Sequence, residues 1–254
     1  MTYETVTKVE DLPLRYPHHR KALEELVRIF SSKDGVIALV LGGSLARGRE
    51  RADSDIDAMA VVTDAFYEEK KRELHTAEMI SMGDCAYPGG YFDLKYMTKD
   101  YIRDAANKGS EPTRSSFLGS KVLFSADPEV TELVGKIPIF QKQEVEEKML
   151  SFYSDLQLSY GYFWKISEPK SYMKLHTGDE TIYCLYRMVL QENGILFPCN
   201  RRLEEAVVAA PDKPEHLVEY CREFCRTMEE EPLRKAVEAW RAWTKYDWPK
   251  DEDV

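Results

Sequence analysis

The sequence predicts an α/β (α+β) protein in which a small mixed sheet with flanking helices over residues 1–138 is followed by a helical bundle over residues 139–254. Three observations carry this prediction. Short apolar runs bounded by turn residues recur through the first half, as buried strands do. From about residue 140 apolar residues instead recur at helical spacing, with Pro169, Gly178, Gly194, Pro198 and Pro211 as punctuation. The length of 254 residues fits one large domain or two moderate ones.

In chain order, Leu23, Leu26, Val27 and Phe30 fall on one face of a helix over residues 17–32. Val36 to Leu41 is a continuous apolar run ending at Gly42-Gly43-Ser44, the first strand and its turn. Ser44 stands where an N-cap belongs, opening a short helix through about Arg49. The run Ala58 to Val62 is the next strand, with Asp55 and Asp57 at its mouth, and residues 65–80 read as a linking helix. Gly90 to Met97 is an aromatic-rich strand with charges at alternate positions, followed by a helix capped at Thr98. Lys121 to Ser125 reads as the last strand, closed by Asp127-Pro128. Beyond it, residues 144–166, 179–192, 201–210, 215–228 and 232–243 read as helices, and short breaks between helices imply antiparallel neighbours. The acidic end from Asp247 reads as a frayed terminus.

Composition narrows the function. A hydrophobic share of 43% with 31% charged residues is ordinary for a soluble globular protein. The net charge of −10 argues against a general nucleic-acid binder, which carries a basic footprint. It is compatible with a cationic small molecule. No apolar stretch approaches the ~20 residues that cross a bilayer, so no membrane association is expected. Met1 to Glu10 is polar, without a secretory core. Five cysteines without framework spacing point to reduced thiols and a cytoplasmic location. Cys221 and Cys225 lie a helical turn apart near His216, but a fourth zinc ligand at suitable spacing is missing, so they read as core. His18 and His19 read as surface residues at a helix entry.

The chemistry concentrates between residues 42 and 95. Gly42 and Gly43 let the backbone turn sharply and approach a ligand, and free N–H groups at such a turn attract anions. On a strand, side chains alternate, so Asp55 and Asp57 share a face with Ile56 on the other. Two ionised carboxylates so close repel unless a cation lies between them. An isolated Asp-x-Asp is usually an acid-rich turn; the Gly-Gly-Ser turn just upstream reverses that preference. Asp93 and Lys95 share one face of their strand, and Asp93 is placed to complete a three-carboxylate cluster if the two strands are neighbours.

Gly43-Ser44, then Asp55-x-Asp57, then Asp93 on a later strand resembles the polymerase-beta-type nucleotidyltransferase superfamily, and the short acidic chain resembles its small-molecule branch of aminoglycoside and lincosamide nucleotidyltransferases. The resemblance spans residues 36–97, with a double glycine where many members have one. It implies a nucleotidyltransferase catalytic domain over 1–138 and a helical substrate-binding domain over 139–254. The implied reaction is in-line attack of a small-molecule hydroxyl on the α-phosphate of ATP or another NTP, with pyrophosphate leaving. Two Mg²⁺ ions would serve, about 3.5–4 Å apart in such sites. Asp55, Asp57 and Asp93 are the implied catalytic and metal-binding residues; Gly43 and Ser44 would cradle the β- and γ-phosphates, with Arg47 (or its neighbours Arg49 and Arg51) and Lys95 in reach of the triphosphate. An aminoglycoside-like antibiotic as acceptor would make the protein a resistance factor.

In the helical half, Glu146, Glu147, Asp155, Asp179 and Glu180 are general-base candidates, each read first as a solvated helix charge. Tyr160, Tyr162, Phe163 and Trp164 read as bundle core before they read as a stacking platform. Two other functions compete: a protein-adenylylating transferase of the antitoxin type, disfavoured by the long helical half, and a non-catalytic nucleotide sensor, disfavoured by the three acids.

Overall fold

A computed structural model describes residues 6–80, 85 and 87–248. The chain divides into two compact units, residues 1–139 and 140–254. The first is a five-stranded mixed sheet with helices, and the second is helical among the described residues.

The sheet runs β3-β4-β2-β1-β5, with β1 Val36–Leu41, β2 Ile56–Val62, β3 Ala77–Ile80, β4 Phe92–Thr98 and β5 Lys121–Ser125. Only β2 and β4 run parallel; the other three pairings are antiparallel. β1 and most of β2 are apolar on both faces, because helices cover both, whereas β4 buries Phe92, Leu94 and Tyr96 on one face and carries Asp93 and Lys95 on the other. One face packs Leu39, Ile56, Ala58, Phe92 and Leu94 against helix α1 (Pro17–Ser31). The other packs Val40, Met59 and Val61 with α4 (Lys99–Lys108) and α6 (Pro128–Lys136).

The remaining helices of this unit are α2 (Gly43–Ala46), α3 (Asp64–Arg72) and α5 (Glu111–Ser116). Their boundaries follow capping chemistry. Thr98 Oγ1 accepts from the Tyr101 N–H at 3.1 Å to open α4, and Asp127 Oδ1 accepts from the Glu129 N–H at 3.0 Å to open α6 behind Pro128. The buried Arg114 donates to the carbonyls of Gly109, Ala106 and Ile137, tying α4, α5 and the end of α6 together.

Several expectations need correction. The helix over 65–80 is instead α3, ending at Arg72, and the edge strand β3. Leu74 leaves the helix with a φ of +61°, and the next residues pair with β4. Ala, Glu and Met are good helix formers, but edge pairing outweighs that preference here. Ser44 is not the N-cap of α2: Gly42 holds that position, Ser44 lies inside the helix, and the helix ends at Ala46 rather than near Arg49. His19 is fully buried in α1, its ring packed against His18, Tyr16 and Tyr87; only His18 keeps partial exposure.

In the second unit α7 (Val145–Leu156) continues through a π-helical stretch, Gln157–Phe163, into α8 (Trp164–Ile166). α9 (Tyr172–Glu192), α10 (Asn200–Ala209), α11 (Leu217–Thr227) and α12 (Glu230–Trp243) complete it. α9 starts seven residues ahead of the expected position, and Gly178 lies within it. A Cβ there would sit 2.8 Å from Phe224 Cε1 and 3.3 Å from Trp164 Cζ3. This glycine permits close helix packing and does not break the helix. Of the aromatic group, Trp164 is buried and Tyr160 packs on the core, whereas Tyr162 is exposed. The frayed end expected from Asp247 lies outside the described residues beyond 248.

Candidate active site

The parallel pairing of β2 and β4 sets the site. Its register places Asp57 opposite Asp93 and Ile56 opposite Phe92. Residues opposite each other share a face, so the two carboxylates lie side by side at the start of their strands. Asp55 stands just ahead of β2, where the Ile56 N–H donates to the Tyr91 carbonyl at 3.0 Å. The Tyr91 hydroxyl donates to the Asp55 carboxylate, and that bond holds the phenol's proton above its ordinary range.

The glycine turn closes on the same place. The Gly42 N–H donates to the Asp57 carbonyl at 2.9 Å, bringing the end of β1 onto β2. Gly43 has a φ of +63°, and a Cβ there would lie 2.9 Å from Asp57 Cβ and overlap its carboxylate. Position 43 must therefore be glycine on two independent counts, backbone conformation and space. The Ser44 hydroxyl oxygen is buried and has no hydrogen-bond partner. Such an orphaned polar atom is costly unless a ligand or water completes it. Arg47 Nε donates to the Gly43 carbonyl at 2.9 Å, which holds its guanidinium over the turn.

Electrostatically the site is a crowded acid pair around one cation. Burial, then the charge of Asp55, push the Asp57 carboxyl above the usual carboxylate range, while Lys95 and Arg47 pull it back. Lys95 Nζ lies 2.7 Å from Asp93 Oδ2 and 4.0 Å from Asp57 Oδ1. An ammonium thus bonds Asp93 and stands near Asp57, so these carboxylates draw positive charge. Oxygen donors from three acids suit a hard ion such as Mg²⁺. Gly43, Ser44, Arg47, Asp55, Asp57, Asp93 and Lys95 all gather here. Arg49 is exposed, and Arg51 pairs with Asp53 at 3.2 Å. Tyr91 and the Gly42–Asp57 link were missed by sequence reading. An aromatic two residues ahead of Asp93 was the available signal for the first; the second had none.

Residues 23–84 match the nucleotidyltransferase domain family. That match supports a nucleotidyltransferase. The match covers the glycine turn and the Asp55-x-Asp57 strand and ends before Asp93 and Lys95. A nucleotidyltransferase draws its nucleotidyl group from a nucleoside triphosphate, and such domains work with divalent metal. No curated protein matches the sequence. Among solved structures, a nucleotidyltransferase-like protein from Exiguobacterium sibiricum 255-15 aligns with a TM-score of 0.48 at 11% identity, covering 88% of this chain and 73% of that one. No helix among the described residues is long and apolar enough to cross a membrane.

Proposed function

We propose that the protein transfers a nucleoside monophosphate, AMP from ATP in the first instance, to a hydroxyl group of a small molecule. The observation that carries this reading is the pairing of Asp57 with Asp93 directly against the Gly43 turn. Asp55, Asp57 and Asp93 would hold two Mg²⁺ ions. When bound, these supply Lewis-acid polarisation of the phosphate and lower the pKa of the attacking hydroxyl.

The chain's own groups do the rest. Backbone N–H groups at the start of α2 lack intrahelical partners and can donate to phosphate oxygens. The unpartnered Ser44 hydroxyl adds a further donor. Arg47 and Lys95 neutralise the triphosphate, Lys95 exchanging its carboxylate partners for phosphate oxygens. In the reaction the acceptor oxygen bonds to the α-phosphorus as the bond to pyrophosphate breaks, and the hydroxyl proton leaves to a base. The second unit, residues 140–254, is proposed as the substrate-binding domain, and a cytoplasmic setting would keep the cysteines reduced.

The test is pyrophosphate release from each of the four NTPs with Mg²⁺ over hydroxylated acceptors, aminoglycosides and lincosamides included. Acceptor-dependent release should fall by about 10²-fold or more in Asp55→Asn, with its melting temperature near wild type. Turnover unchanged in that variant removes the metal role, and no release with any acceptor sinks the small-molecule reading.

A further inference from the structure

Asp57 and Asp93 are fixed by the register of β2 on β4, but Asp55 stands ahead of that ladder. It ends a segment over 48–54 that is neither helix nor strand. The carbonyls of such a segment need donors from elsewhere. The stretch entering α1 supplies one side. The Arg15 N–H donates to the buried Glu50 carboxylate at 2.7 Å, and the Arg15 guanidinium to the Gly48 carbonyl at 3.3 Å. His18 Nε2 donates to the Ala52 carbonyl at 3.0 Å. A carbonyl only accepts, so the proton of a neutral His18 sits on Nε2.

The loop before β4 supplies the other side. The Tyr87 hydroxyl donates to the Ser54 carbonyl at 2.7 Å. Gly89, with a φ of +82°, passes where a Cβ would lie 2.8 Å from the Asp53 carbonyl oxygen. The two sides meet through their rings. Centroids of His18 and Tyr87 are 4.4 Å apart, and both rings pack on the buried His19, at 4.3 and 5.2 Å. We propose that His18 and Tyr87 are positioning residues of the candidate active site. Through the carbonyls of Ala52 and Ser54 they fix the end of the segment, so that Asp55 reaches the same cation as Asp57 and Asp93. One stretch of chain makes this a coupling. It holds Ser54 through Tyr87, accepts from the Ile56 N–H at the Tyr91 carbonyl, and then supplies Asp93. The inference rests on the metal role read for Asp55 above, and both residues act through Asp55 rather than on a substrate.

Mn²⁺ binding to the full chain, followed by the EPR signal of the free ion, tests it. Tyr87→Phe keeps the ring and removes the hydroxyl; His18→Phe keeps a ring and removes the donor. Each should weaken the Mn²⁺ Kd by about tenfold, as lost supports of metal ligands do. His18→Gln, whose side-chain amide can replace the Nε2 donor, should return to within about threefold of wild type. Tyr96→Phe is the control for a lost phenol hydroxyl, since Tyr96 bonds Glu78 at 3.1 Å from the opposite face of β4. Its Kd should stay within about twofold of wild type, and all four variants should melt within about 5 °C of it. Wild-type affinity in either phenylalanine variant at 18 or 87, an equal loss in Tyr96→Phe, or no recovery in His18→Gln overturns the positioning role. Asp55→Asn in the same titration separates this from the parent reading, and should lose at least as much affinity as Tyr87→Phe. If it binds Mn²⁺ as wild type does, or if wild type shows no saturable binding, the metal reading falls and the positioning role falls with it.

Discussion

Among the described residues, each unit holds a set of ligand-type side chains worth comparing, and the two differ in what surrounds them. In the helical unit Asp155 on α7 meets Glu180 and Cys184 on α9, with a candidate ligand atom from each within 4.8 Å of the others. In the sheet unit Asp57 and Asp93 face each other across β2 and β4 with Asp55 just upstream. By proximity alone the helical set is the tighter one. Yet burial disfavours the charged forms of two of its groups. Burial, then Asp155, raise the Glu180 carboxyl, and burial, then Glu180, push the Cys184 thiol well above its ordinary range. That thiol must lose its proton before it can bind a metal, and burial opposes the loss. The sheet set carries its own cation in Lys95, a cleared turn at Gly43 and an unpartnered hydroxyl at Ser44. Burial raises Asp57 as it raises Glu180. What separates the two sets is therefore the neighbouring cation, the cleared space and the unpartnered hydroxyl of the sheet set, and closeness of acids is the weaker criterion.

The sharpest way to break that comparison is to fill the cleared space. Gly43→Ala puts a methyl group into the Asp57 carboxylate and an alanine at positive φ. We expect kcat/KM to fall by about 10²-fold or more, with a stability loss of about 1–3 kcal/mol in urea unfolding. Gly42→Ala is the control, since its Cβ would come closest to the flexible Met59 Cε, at 3.2 Å, and would meet Asp57 Cβ only at an ordinary 3.8 Å. Equal losses in the two variants would mean that the turn, not the space beside Asp57, is what matters. A smaller effect is expected in the helical set. Cys184→Ala should cost about 1–2 kcal/mol as a buried truncation. It should leave unchanged the rise in melting temperature expected when Mg²⁺ is added to the wild type. If Cys184→Ala abolished that rise, the helical set would be the cation site and the comparison would reverse.

How much of this was legible in the sequence follows the same division. The glycine turn and Asp55-x-Asp57 lie within 16 positions of one another, and Asp93 and Lys95 lie two apart, so turn chemistry and period two mark each group locally. The parallel neighbouring of β2 and β4 is a long-range choice that no local pattern dictates, and it alone decides whether Asp93 joins Asp57. β3 was invisible because its residues favour a helix when read alone and become a strand only through pairing with β4. His19 follows a proline in a polar stretch, and its burial is imposed by rings from elsewhere, Tyr87 among them. Gly178 looked like a breaker because the ring that needs its missing Cβ, Phe224, lies 46 positions away. Local signals marked the candidate residues. Tertiary contacts, which the sequence carries only in distributed form, placed the edge strand and the close helix packing.

The smallest effect asks whether the helical set is a liability at neutral pH, as its raised carboxyl implies. A carboxyl raised on folding binds its proton more tightly in the native state than in the unfolded chain. Native Glu180 therefore favours folding at acid pH. That advantage is lost as pH rises from the unfolded value of 4.5 through the higher native one. Glu180→Gln removes the titration. Its melting temperature should match wild type near pH 4 and exceed it by about 1–2 °C at pH 7. The size is modest because the side chain is only partly buried and water screens Asp155. A variant that melts lower than wild type at pH 7 would show that the charged carboxylate is stabilised there by a partner. The helical set would then have to be weighed beside the carboxylates of the sheet.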